Sequence, residues 1–337
     1  MSGDRIVRQR HSKVEWPTVL LIVACYGVWT FAGLVLWPSY PILALLVLAF
    51  AVALQSSLVH EVLHGHPTRN ARLNEAFVFL PIGLFWPFRR FKTLHLRHHA
   101  DERLTDPLDD PESYYRALWQ HEDLPATLKF LLRFNNTMAG RFVIGPWISL
   151  AGFLASDVRA LLAGDRGIRK AWLLHAAGLV VVLGVIAYGF SIPLWIYILG
   201  PAWLGQSLIS VRTFAEHQWS EQPEGRTVIV EKSPLSLLFL NNNLHFVHHN
   251  SPNVAWYQLP KLFRERREEW LRMNNGYAYP NYFALIREYA FKPKEQVVHP
   301  VLRRVPEAGR AFRPRVRGHA STYGAGTVPL PAEPPKE

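Results

Sequence analysis

The chain has 337 residues, 49% of them hydrophobic and 13% aromatic but only 19% charged, against roughly 25% charged in a soluble domain. This composition excludes a disordered protein, since it can bury extensive apolar surface, and argues against an ordinary cytosolic enzyme. The net charge of +11 admits nucleic acid, anionic lipid or an acidic protein as partner, while the single cysteine, Cys25, excludes an intramolecular disulfide and a cysteine-built metal site.

Position decides what the apolar content means. No Asp, Glu, Lys or Arg stands between Glu15 and Glu61, nor between Lys170 and Arg212. A helix needs about 20 apolar residues to cross a bilayer, so each run accommodates two helices. Pro38-Ser39-Tyr40-Pro41 and Ser191-Ile192-Pro193 are sequences that stop one helix and start another. The chain thus reads as all-α, with two helical hairpins spanning about 17–37, 41–59, 171–190 and 193–211. The first run is too long for a cleavable signal and reads as an anchor. Arg5, Arg8, Arg10 and Lys13 precede the first span and neither turn is charged, which puts both turns outside and the termini inside. Domain boundaries follow: a cytoplasmic segment 1–16, a membrane domain 17–299, and a basic Pro/Arg-rich tail 300–337 that cannot bury enough surface to order itself. Ala76 to Phe88 and Phe142 to Leu162 are apolar, but short or interrupted by Asp157 and Arg159, and read as interfacial or half-buried helices. The alternative, a fifth span at 142–162, would invert the second hairpin.

Histidines are the remaining signal. His60 and His64 follow the second span, then His95-Leu96-Arg97-His98-His99, and beyond the fourth span His245-Phe246-Val247-His248-His249. Residues three and four apart share a helix face, so each cluster can converge on a point. Four imidazoles saturate a tetrahedral ion, so eight candidates imply two metals, and neutral imidazole suits iron, zinc, copper or nickel. His217 ends Arg212-Thr213-Phe214-Ala215-Glu216-His217, at the same depth, and joins the set.

The order HxxxH, HxxHH, a gap holding two spans and a final HxxHH resembles the membrane-bound fatty acid desaturase superfamily. His95 to Asp110 resembles its second box with the acidic stretch behind it. Asn241-Asn242-Asn243-Leu244-His245, continuing to Trp256-Tyr257-Gln258-Leu259-Pro260, is similar to the third-box run of bacterial members. The resemblance covers about residues 40–290. It implies a four-helix membrane bundle with a cytoplasmic helical cap holding two non-haem irons that activate O2, with the eight box histidines and His217 as ligands. Zinc lacks the redox activity such chemistry needs. The implied function is a fatty acyl desaturase acting on a lipid. An acyl-lipid hydroxylase or carotenoid-ring oxygenase on the same scaffold stays open, as does a membrane metal-binding protein without oxidase activity. In a bacterium the location would be the inner membrane.

Other residues have plainer readings. His66 points away from the His60 and His64 face and suits a supporting role; His175, inside the third span, suits neutral helix packing. Asp106, Asp109, Asp110 and Asn241 to Asn243 can orient box histidines by accepting their second ring proton. His11, His121, His299 and His319 lack clustered partners and are expected to be exposed. An apolar slot lined by residues such as Trp29, Phe50, Trp195 and Trp203 is expected, none of them assigned to binding. No nucleic-acid motif appears. The sequence has neither an HPGG-type haem motif nor a dinucleotide fingerprint, so electrons are expected from a separate ferredoxin or cytochrome b5-type protein, an acidic one suiting the basic face.

Overall fold

The computed structural model describes residues 14–100 and 103–302; residues 1–13 and the basic tail from 303 onward lie outside the described residues. Among the described residues five helices are long and apolar enough to cross a membrane: α1 (Trp16–Leu36), α2 (Pro41–Leu63), and, after intervening segments, Met138–Leu162, Arg166–Gly189 and Leu194–Glu216. Their starts are legible locally. Pro stands in the first turns of Trp16–Leu36 and Pro41–Leu63, where its missing N–H costs nothing. The Thr137 side chain accepts from Gly140 N and Asp165 from Ile168 N, capping the next two helices.

Between them lie the short helices α3 (Ala71–Phe77), α4 (Phe88–Ala100), α5 (Leu118–Glu122) and α6 (Ala126–Asn135). The three long helices that follow are α7 (Met138–Leu162), α8 (Arg166–Gly189) and α9 (Leu194–Glu216). Pro201 sits inside α9, where a π-turn at Ile198–Ala202 absorbs it. Gly205 lets α9 approach α2 closely, since a Cβ there would stand 2.5 Å from the Val52 side chain.

Two expectations change here. The second and fourth spans do not stop where charge begins: α2 runs on through Glu61 and α9 through Arg212 to Glu216, carrying polar residues out on the helix end. Phe142 to Leu162 is helical as expected, as part of α7, and its Asp157 pairs with Arg90 at 2.7 Å and accepts from Trp172 Nε1 at 2.8 Å. Residues 78–87 are not a helix. Pro81, Gly83 and Pro87 oppose one, and the segment runs against the bundle core as a series of turns and bends. Carbonyls buried there need donors, and three take them from side chains: Leu80 O accepts from Tyr26 Oη at 2.9 Å, Ile82 O from Tyr197 Oη at 2.8 Å, and Leu84 O from His175 Nε2 at 2.8 Å.

The bundle core, with Ile22, Leu48, Val52, Ile82, Ile186 and Tyr197, is continuous around this segment. Two further clusters pack the chain beyond α9, one of them shared with Ala53 of α2 and Ile209 of α9. This part of the chain contains the parallel pair β1 (Ile229–Lys232) and β2 (Ala278–Asn281), with Ile229 opposite Ala278, and is packed around Val230, Phe239 and Trp270.

Candidate metal centre

The histidine boxes sit where elements end. His60 lies in the last turn of α2 and His64 is its C-terminal cap. His95, His98 and His99 lie in the last turns of α4, and the third box forms the short helix His245–Asn250. His217 follows α9 with extended backbone. All nine converge in two sets: His60, His64, His95, His99 and His248 form one, and His98, His217, His245 and His249 the other, the ring nitrogens of each set lying within 4.8 Å of one another. Boxes two and three are each divided between the sets. His99 stacks on His249 with 4.0 Å between centroids, which joins them.

Ring orientation follows from the partners of the outer nitrogens. His95 Nδ1 lies 2.7 Å from Glu112, His98 Nδ1 2.8 Å from Asp110, His217 Nδ1 3.2 Å from Arg226 O, and His245 Nδ1 2.9 Å from Asn242 Oδ1. A carboxylate or carbonyl can only accept, so each Nδ1 carries the proton and each Nε2 presents a lone pair. Those lone pairs face one another at 3.2 Å (His64 to His95), 3.1 Å (His98 to His217) and 3.0 Å (His217 to His245). His60 Nε2, His248 Nε2 and both nitrogens of His99 are buried with no hydrogen-bond partner. Lone pairs crowded together and buried without donors are costly; a cation within each set relieves both. The residues therefore fit two metal ions.

Electrostatics favour the neutral ring at six of these histidines and the charged ring at His98. Burial, reinforced by neighbouring rings, holds His64, His99, His245, His248 and His249 below the ordinary imidazole range, and burial lowers His217 to about 3. At His98 burial works against the cation, but Glu112 and Asp110 outweigh it and raise the group to about 9. Burial would raise the Asp110 carboxyl, but His98 holds it below its usual range; His95 and His98 do the same for Glu112.

Several supporting residues were not singled out from sequence. Glu112 is one. Glu15 and Glu61 are two more, forming with His66 a third buried grouping. His66 Nδ1 pairs with Glu15 at 2.7 Å, and Glu61 accepts the backbone N–H of Trp256 at 3.0 Å, pinning the chain beyond box three to the end of α2. The one sequence signal was position: Glu15 and Glu61 bracket the first uncharged run. Of the acids expected to orient histidines, Asp110 does so, whereas Asp109 pairs with Arg103 and Asp106 accepts from Leu108 N. Asn242 reaches His245; Asn241 and Asn243 instead bind Trp256 O and Val230 O. His299, expected to be exposed, is 5% exposed: its backbone N–H donates to Arg116 O at 2.9 Å and its ring packs on Tyr115 with 5.1 Å between centroids. His121 is half-buried, and His11 and His319 lie outside the described residues. The four aromatics line no common slot: Trp29 is in the core, donating to Tyr197 Oη, while Phe50 and Trp195 are exposed.

A helical chain with five membrane-compatible helices and two histidine sets at one end of the bundle is the setting in which the comparisons fall. The sequence profile of the fatty acid desaturase family matches residues 35–281, most of the chain, and the protein belongs to that family. Among curated proteins no match is found.

Proposed function

We propose that this protein is an O2-dependent, di-iron fatty acyl desaturase that introduces a double bond into a lipid acyl chain. The observation that carries the reading is the convergence of nine histidines, as two sets of bare ring nitrogens, at one end of an apolar bundle in a fatty acid desaturase family member. His60, His64, His95, His99 and His248 would hold one iron, and His98, His217, His245 and His249 the other. Iron bound there supplies O2 activation and hydrogen removal from an unactivated C–H bond. The chain's own part is to bury the imidazoles and aim them: Glu112, Asp110, the Arg226 carbonyl and Asn242 fix four rings, as outer partners do in metal sites generally.

Four helices, α1, α2, α8 and α9, cross the membrane in this reading, and α7 lies across the bundle end. Arg141 in the first turn of α7 stands over Phe214, three residues before His217, and Asp157 near its other end pairs with Arg90, five residues before His95. Both ends of α7 thus meet elements that carry the histidines. The termini and the metal centre face the cytoplasm, where a separate electron donor with an acidic face docks.

The test is mass spectrometry of total lipids from cells expressing the wild type beside His98→Ala. Loss of two hydrogens from acyl chains, dependent on His98, supports desaturation; gain of one oxygen moves the reading to hydroxylation. No His98-dependent change, with the donor and acyl substrates supplied, removes both.

A further inference from the structure

Eight of the nine histidines are placed by helices: His60 and the six of boxes two and three lie within one, and His64 caps one. His217 is the exception. Its backbone is extended, with φ −130° and ψ 149°, immediately past the end of α9, where the last carbonyls of a helix have no partner of their own. Whatever meets those carbonyls also sets where the His217 backbone lies.

Four carbonyls in succession, from Phe214 to His217, accept from groups outside α9. The Val228 N–H donates to Glu216 O at 3.0 Å, and Tyr277 Oη to Ala215 O at 2.5 Å. The other two share one donor: Lys294 Nζ donates to Phe214 O at 2.9 Å and to His217 O at 2.7 Å, and its third proton goes to Tyr277 Oη at 2.9 Å. An ammonium has three donors, so every proton of Lys294 is engaged at this helix end, and a cation is the charge that a helix C-terminus favours.

Lys294 is itself held. Its backbone N–H donates to Asn136 O at 2.8 Å, and the neighbouring Glu295 Oε1 accepts the N–H of Trp219, two residues past His217, at 3.1 Å. All nine histidines fall within residues 35–281, the part of the chain that the family profile matches. Lys294 reaches His217 from beyond it.

We propose that Lys294 is a positioning residue for His217: by tying the Phe214 and His217 carbonyls together it fixes the ring that completes the set of four, and leaves the set of five untouched. The consequence for metal rests on the two-metal reading above; the placement of His217 does not.

Two measurements on the full-length protein in detergent test this. The first needs no metal: hydrogen exchange of the chelator-treated protein at the Gln218 and Val228 amides, which bind Arg226 O and Glu216 O. In Lys294→Met, which keeps an unbranched side chain and removes its donors, these amides should exchange about tenfold faster; unchanged exchange overturns the proposal. The second is iron retained against a chelator. One of two irons should be held about tenfold less tightly in Lys294→Met, the low end of what an outer partner contributes, and the other as tightly as in the wild type. In a His217→Ala background the same substitution should add nothing, because it acts through that ring. Loosening of both irons alike, or of neither, overturns the proposal, as does a further loss in the His217→Ala background. A wild type holding fewer than two irons counts instead against the two-metal reading, and the exchange measurement then decides the proposal by itself. If Lys294→Met does not fold, Lys294→Gln, which keeps two donor protons, replaces it, with an expected loosening of about threefold and the same overturning results.

Discussion

At the scale of single residues, this centre is governed by which nitrogen of each imidazole is occupied. Asp110 serves three donors, His98 Nδ1 and the backbone N–H groups of Thr105 and Glu112. Asp110→Asn should therefore weaken metal binding by about 10- to 100-fold, measured as metal retained against a chelator. His66→Ala, which removes the ion pair with Glu15, should leave metal content close to that of the wild type; losing metal as fully as His98→Ala would count against the ligand sets. The pH dependence has a definite sign. His64, His99, His217, His245, His248 and His249 are depressed in the folded chain and titrate near 6.5 when unfolded. Below about 6.5 the unfolded state takes up more protons, so the metal-free protein loses stability as pH falls. His98, raised to about 9, acts oppositely, adding stability as pH falls from about 9 toward 6.5. The unfolding midpoint of the chelator-treated protein should thus fall between pH 7 and pH 5, and a midpoint that rises there would contradict the burial of neutral rings.

At the scale of elements, the least regular segment is the most tightly specified. Residues 78–87 contribute no helix, yet Val78, Ile82 and Leu84 are buried and three carbonyls are met by side chains from α1, α8 and α9. Leu84 has φ of +69°, a conformation uncommon for a leucine, and its carbonyl takes the His175 donor. Gly178 faces this segment, where a Cβ would lie 2.8 Å from Phe79 O. Tyr197 is the hub, donating to Ile82 O while accepting from Trp29 Nε1. Tyr197→Phe strands both partners in an apolar core and should cost about 1–3 kcal/mol each at most, seen as a lower unfolding midpoint in detergent with metal content unchanged. The supporting polar residues follow the same logic on a smaller scale: a four-residue repeat announced the histidines, but nothing periodic announced Glu112 or Glu15, which come from a loop and from the residue preceding α1.

At the scale of the whole molecule, the proposed topology takes four of the five long helices across the membrane. If α7 lies across the bundle end, the turn between α7 and α8 faces the same side as the histidines, and the turns at 38–40 and 191–193 face the other. Cysteines introduced as Ser39→Cys, Gly164→Cys and Ser191→Cys in a Cys25→Ala background report this directly. An impermeant thiol reagent applied to intact cells should label positions 39 and 191, and position 164 only after permeabilisation. Labelling of position 164 from outside would make α7 a span.

What the sequence by itself determined was whatever is written in short range: two uncharged runs broken by proline, and histidines repeated at helical spacing. These depend only on a residue's neighbours along the chain, because hydropathy and the 3.6-residue repeat are local. The division of nine histidines into sets of five and four was decided by tertiary structure, since adjacent histidines of one box face different sets only once α4 and the His245–Asn250 helix are docked. The same holds for the partners of His95 and His66, for the pairing of Asp157 inside α7, and for the course of residues 78–87. In each case a charge or a carbonyl is tolerable only because a residue far away in sequence arrives to meet it.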